Sequence, residues 1–190
     1  MKTLKYQQDT LAALRQFLSL ARGSAPKAAF DAATSALPPA LRRDYMTLAD
    51  SIADAPYVCL RLPTGGGKTL LAALSIPIAG KEFLDQDFPF VLWLVPTNTI
   101  RAQTIQALRT PGNIHNDALE AHFKGRFRVL NVTEFDQLRP HDLGNRANIV
   151  VGTLATARVD KTEQRKVYAH NEDMEPFFTG VGRSGHGPGA

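Results

Sequence analysis

The chain has 190 residues, of which 44% are hydrophobic, 8% aromatic and 21% charged, a soluble globular composition that excludes a disordered or fibrous character for its bulk. A chain of this size buries roughly 70% of the surface its unfolded form exposes, enough for one domain and part of a second. Twenty-two basic and eighteen acidic residues leave a formal charge of +4, compatible with a polyanionic partner but too small to argue for one.

Leu4, Leu11, Leu14 and Leu18 keep one face of a helix expected over Lys5–Ala21. Asp9, Arg15 and Gln16 interrupt the apolar run that a signal peptide needs. No stretch approaches the roughly 20 apolar residues that cross a bilayer. The single cysteine, Cys59, excludes an intramolecular disulfide framework and fits a reducing compartment. The chain therefore reads as cytoplasmic, with no membrane partner.

Residues 22–39 are rich in Ala, Ser and Pro and close on the breaker Pro38-Pro39; a weaker pattern predicts a helix over Leu41–Ala53. Tyr57–Leu62 reads as an apolar strand with Cys59 in the core, ending at Pro63 and three glycines. Phe88–Val95 reads as a strand buried on both faces, and Phe127–Val132 and Asn148–Gly152 as two more. Helical stretches alternate with them at Lys68–Ile78, Thr99–Arg109 and Asn116–Lys124. That alternation predicts βα units: an α/β fold with a mainly parallel sheet and helices on both faces. Thr179–Ala190, with Gly180, Gly182, Gly185, Gly187 and Gly189, reads as a glycine-rich disordered tail.

The most specific feature is Leu62-Pro-Thr-Gly-Gly-Gly-Lys-Thr69, set between an expected strand and an expected helix. Phosphate oxygens concentrate negative charge, so a loop that holds them must offer several backbone N–H groups at once. Gly65, Gly66 and Gly67 let the backbone curl inward without side-chain obstruction, and the positive end of the following helix points at the anion. Lys68 would bridge the β- and γ-phosphates of a nucleotide, and the Thr69 hydroxyl would ligate Mg²⁺. The bland alternative is a glycine-rich turn that happens to carry a lysine.

Two further segments bear on how such a nucleotide would be used. Leu4-Lys-Tyr-Gln-Gln8 opens the first helix, and a glutamine there, Gln7, can pair donor and acceptor with the adenine edge; alternatively Tyr6 and Gln7 lie on a helix surface. Val95-Pro-Thr-Asn-Thr-Ile-Arg-Ala-Gln103 follows a strand. Its Pro96-Thr97 turn offers a hydroxyl and N–H groups to a phosphodiester backbone, with Gln103 facing back toward it; the alternative is an ordinary helix cap. Thr153 and Thr156, after the last strand, could make the same kind of contact. Lys124, Arg126 and Arg128 form a basic cluster that is either phosphate-facing or a solvated face. The five histidines show no metal-ligand spacing.

Together these segments resemble the first RecA-like domain of superfamily-two helicases of the DEAD/DEAH type, and most closely the helicase subunit of type III restriction enzymes. Ala55–Thr69 resembles that family's first motif with its leading strand, and Pro96-Thr97 with Gln103 a motif that DEAD-box proteins write as Pro-Thr-Arg-Glu-Leu-Ala-x-Gln. Asn148–Thr153 is similar to a later strand ending in a DNA-contacting threonine, and Tyr6-Gln7 to the adenine-reading region. The resemblance implies ATP with Mg²⁺ bound through Gln7 and the loop Thr64–Thr69, and nucleic acid touched by Pro96, Thr97, Gln103 and Thr153. It further implies double-stranded DNA as substrate and a methyltransferase or specificity subunit as partner. The expected organisation is a helical segment over residues 1–56, a partial RecA-like ATP-binding domain over 57–178, and the tail.

Hydrolysis also needs carboxylates to organise Mg²⁺ and the attacking water. None of Asp160, Glu163, Glu172, Asp173 and Glu175 ends a run of apolar residues, and Glu134 matches imperfectly. The reading is therefore the N-terminal portion of a motor ATPase, truncated before the acidic strand, complete in ATP-cradling residues and incomplete in catalytic ones. The alternatives are a nucleotide-binding fragment without turnover and a P-loop enzyme of another kind, such as a small kinase.

Overall fold

The computed structural model describes residues 3–47 and 52–157. The acidic residues from Asp160 onward and the glycine-rich segment lie outside the described residues.

Helix α1 spans Lys5–Ala21, as its leucine stripe requires: Leu14, Phe17, Leu18 and Ala21 are buried at helical spacing. Helix α2, Pro26–Thr34, starts on a proline whose missing N–H costs nothing at that position. Phe17, Phe30 and Tyr45 pack ring against ring where α1 and α2 meet, with centroids 5.4 to 6.3 Å apart. This cluster also takes in Ile78 of α3, Lys68–Ala79, and so fastens the N-terminal helices to the helix that follows the glycine-rich loop.

Three strands form a parallel sheet in the order β1-β3-β2: β1 Phe90–Val95, β2 Phe127–Asn131 and β3 Ala147–Thr153. The register sets Val95 beside Thr153 and Asn131 beside Val151, so the strands end together at one edge. Every residue of the central strand β3 is buried, in keeping with its apolar centre Ile149-Val150-Val151; the buried Asn148 donates to the Asp142 and Arg146 carbonyls. On one face, Ile149 and Val151 meet Leu70 and Ile76 of α3, Ile105 and Leu108 of α4 (Asn98–Arg109), and Leu119 and Phe123 of α5 (Ile114–Phe123). Truncating a fully buried residue such as Leu108 or Leu119 to alanine costs about 2–5 kcal/mol. The opposite face of β2 and β3 is covered by 3₁₀ turns at Val132–Gln137 and Pro140–Asp142, through Leu130, Val132, Leu138 and Val150. Among the described residues helices thus lie on one face, and the second carries turns. A short helix α6, Leu154–Ala157, follows β3.

Three expectations differ. The strand expected over Phe88–Val95 to be buried on both faces begins at Phe90 and buries one face only, with Phe90, Leu92 and Leu94 exposed, because among the described residues only turns, and no helix, cover the second face. Tyr57–Leu62 joins no ladder among the described residues, and Tyr57, Cys59, Leu60 and Arg61 are exposed. An apolar run supplies the wish to be buried but not the neighbouring strand that a ladder needs. Cys59 is accordingly a surface thiol and not a core residue. The helix expected over Leu41–Ala53 is absent across residues 42–47, where Tyr45 alone is buried and Met46 is exposed, so no apolar stripe exists to fold against; residues 48–51 lie outside the described residues. Tyr45 instead accepts a hydrogen bond from the Tyr57 N–H at 2.9 Å, tying this segment to the approach of the loop.

Candidate functional site

The glycine-rich loop is shaped by the two glycines that take positive φ, Gly65 at 78° and Gly67 at 75°, a conformation that costs any side-chain-bearing residue. Between them Gly66 donates its N–H to the Pro63 carbonyl at 3.0 Å and closes a tight turn. Gly67 is the N-cap of α3 and supplies no side chain to cap it. The first helical bond runs from Leu71 N–H to the Gly67 carbonyl, so the amides of Lys68, Thr69 and Leu70 have no partner further back in the helix. Uncapped N–H groups at the positive end of a 12-residue helix make a cradle for an anion.

Lys68 turns back over this loop, and its Nζ donates to the Pro63 carbonyl at 2.8 Å. Among the described residues this neutral acceptor is its one partner, so the ammonium's charge is not compensated by a described carboxylate. Thr69 sits half-buried on the first turn. Free amides, one cation and a hydroxyl on the first turn are the kinds of group that suit a polyphosphate.

Gln7 is brought to the loop from the other end of the chain and is buried there. Its Oε1 accepts from the Leu4 N–H at 3.0 Å, and its Nε2 donates to the Gly66 carbonyl at 3.3 Å. Each atom keeps one valence, a second lone pair and a second N–H, which is the pair that an adenine edge uses. Tyr6 reaches the same carbonyl, its hydroxyl donating at 3.1 Å. The sequence marks the Tyr6-Gln7 dipeptide but carries no sign of the Tyr6 contact, because nothing local links a hydroxyl to a carbonyl sixty positions away.

Gly80, at the end of α3, lies against Pro89 just before β1. Helix α3 therefore runs back along β1, and the lengths agree: about 18 Å for 12 helical residues and about 20 Å for 6 strand residues. The cradle consequently lies toward the carboxyl end of the sheet, where ligands of open parallel sheets bind. Pro96 and Thr97 follow β1 at this end; both are exposed, and Thr97 Oγ1 accepts from the Ile100 N–H at 3.3 Å as the cap of α4. Thr153 is their neighbour across the sheet but is buried. Its hydroxyl is spent on Thr156, 2.8 Å from Oγ1 and 3.2 Å from the amide. Gln103 is exposed on α4 and makes no hydrogen bond to the Pro96-Thr97 turn among the described residues.

The basic cluster lies elsewhere. Arg126 and Arg128 stand at the start of β2, away from the carboxyl edge. The Arg126 guanidinium rests 4.1 Å over the Phe88 ring and donates to the Asn145 carbonyl, while Arg128 is held by Gln137. Among the described residues no group of three His, Cys, Asp or Glu side chains could hold a metal ion, and no helix is long and apolar enough to cross a membrane.

No curated protein and no solved structure matches this chain. Residues 1–176 match the family described as type III restriction enzyme, res subunit, whose N-terminal domain is RecA-like and belongs to helicase superfamily two. With the glycine-rich cradle at the head of α3 and the match running through all three strands, the chain belongs to the type III restriction enzyme res-subunit family and carries its helicase-like ATP-binding domain.

Proposed function

We propose that this chain binds ATP with Mg²⁺ through the loop Thr64–Thr69 and that, in the whole protein, nucleotide turnover drives movement along double-stranded DNA. The single observation that carries the reading is the uncapped head of α3, where free amides and the Lys68 ammonium converge while Gln7 stands against the same loop. In this reading Gly65, Gly66 and Gly67 shape the cradle, Lys68 meets the outer phosphates, and Thr69 holds the magnesium ion. Gln7 reads adenine with its remaining N–H and lone pair. Pro96, Thr97 and Thr153 lie along the track for one nucleic-acid strand, with Thr97 and its exposed turn making the contact and Thr153 supporting it from beneath. Gln103 belongs to the same surface. A methyltransferase or specificity subunit is the protein partner that membership of the family supports.

The test is calorimetric titration of the chain with ATP and GTP in the presence of Mg²⁺, for wild type and Lys68→Ala. Saturable ATP binding that is preferred over GTP and weakened at least tenfold by the substitution supports the reading. Binding of neither nucleotide by the wild type defeats it.

A further inference from the structure

We propose that Tyr6 is a positioning residue for the phosphate cradle: together with Gln7 it holds the Gly66 carbonyl, and so aims the Gly67 amide at the anion. The inference rests on the nucleotide reading above and adds a residue and a device to it. Two donors from the first turn of α1 converge on one carbonyl oxygen, the Tyr6 hydroxyl at 3.1 Å and Gln7 Nε2 at 3.3 Å. A peptide unit is planar and, here, trans, so its C=O and N–H point in opposite directions. Drawing the Gly66 carbonyl toward α1 therefore turns the Gly67 N–H away from α1. Among the described residues that N–H donates to no protein acceptor. It joins the free amides of Lys68 and Thr69 as a donor set before any ligand arrives, and donors fixed in advance do not have to be ordered on binding.

Packing does not account for Tyr6. It is 40% exposed, so its ring is only partly sheltered. Helix α1 does not depend on it either, since the buried stripe of that helix is Leu14, Phe17, Leu18 and Ala21. What Tyr6 does is place a hydroxyl on a loop sixty residues away. Because the peptide it controls faces phosphate and not base, its effect should be the same whatever base the nucleotide carries. That separates Tyr6 from Gln7, whose spare valences face the base in the reading above.

The experiment uses the full 190-residue chain as wild type and Tyr6→Phe, which keeps the ring and removes only the hydroxyl. Magnesium ATP, magnesium GTP and inorganic tripolyphosphate are titrated into each, and glycine-selective ¹⁵N labelling reports the Gly67 amide. The expected result is an equal loss, about fivefold for one hydrogen bond, for all three ligands. The ATP-to-GTP ratio stays fixed, and the Gly67 resonance is displaced in the ligand-free variant. Wild-type affinity for tripolyphosphate in Tyr6→Phe overturns the proposal, as does a loss confined to ATP, which would make Tyr6 a base contact. A wild-type chain that binds none of the three overturns this proposal and the nucleotide reading together. Binding by the wild type with an indifferent variant overturns this one alone.

Discussion

The side-chain nitrogen of Gln7 lies 3.3 Å from the Gly66 carbonyl and only 2.6 Å from where a Cβ on Gly67 would stand. Gly67 is therefore required twice, once by its φ of 75° and once by the glutamine that fills the space beside it. Gly67→Ala should cost about 1–3 kcal/mol in urea unfolding, the cost of a side chain in the left-handed region plus displacement of Gln7. It should also abolish ATP binding. Adding Gln7→Ala removes the clash but not the backbone strain, so the double variant should recover part of the loss. Strict additivity in that double-mutant cycle would show that the two residues do not touch.

Lys68 presents the opposite case. Its ammonium is exposed and, among the described residues, bonded only to the Pro63 carbonyl, so Lys68→Ala removes little that folding uses. The unfolding free energy should stay within the scatter of a surface substitution, about 0.5 kcal/mol, while ATP affinity falls at least tenfold. A comparable loss of stability and affinity would show that the lysine is a strut for the loop and not a phosphate ligand.

The contrast between these residues shows how far the sequence could be read. The glycines were legible because a loop that presents amides needs positive φ at particular places, and Gly65 and Gly67 take it. Helix α1 and the three strands were legible from local apolar pattern, to within one or two residues at each end. Tyr57–Leu62 carries the same apolar signature as β1 yet pairs with nothing described, since a run of residues specifies burial and not a neighbour. The Tyr6 hydroxyl on Gly66 and the capping role of the Thr153 hydroxyl were not legible. Both depend on which groups the fold brings within 3 Å or so, and no spacing encodes that.

Glu134 links the edge of the sheet to α4, and it makes stability depend on pH. Its carboxylate accepts from the Asn131 N–H at 2.8 Å and from Arg109, which also donates to the Val129 carbonyl. The Asn131 amide first, and then the Arg109 guanidinium, hold its pKa below the ordinary glutamate range, with partial burial pulling the other way. The folded state thus binds this proton less readily than the unfolded state, whose value is about 4.3. Its contribution is complete above that pH and is lost as pH falls through the lower, folded value. Glu134→Gln should therefore lower stability by about 1 kcal/mol at pH 7, and the gap to wild type should narrow as the pH drops below about 4. A gap that is constant down to pH 3 in denaturant titrations would remove Glu134 from the acid response.

Among the described residues strand β1 is an edge strand, hydrogen-bonded to β3 on one side only. Its sequence, Phe-Val-Leu-Trp-Leu-Val, carries no charge or proline to discourage another strand from adding to it. Phe90, Leu92 and Leu94 are 42%, 50% and 39% exposed, and a groove of about 510 Å³ runs between this strand and Ala72, Ser75, Ile76 and Ala79 of α3. An uncovered apolar edge of this length is a template for association. The 190-residue chain should therefore self-associate in sedimentation velocity as its concentration rises. Leu92→Lys puts a charge on the half-exposed face without removing a core contact. It should shift the chain toward monomer, leave the circular dichroism spectrum unchanged, and leave ATP binding intact because the cradle is at the head of α3, ahead of the residues from Ala72 onward that line the groove. Equal association by wild type and variant would mean that the contact between copies lies on another surface.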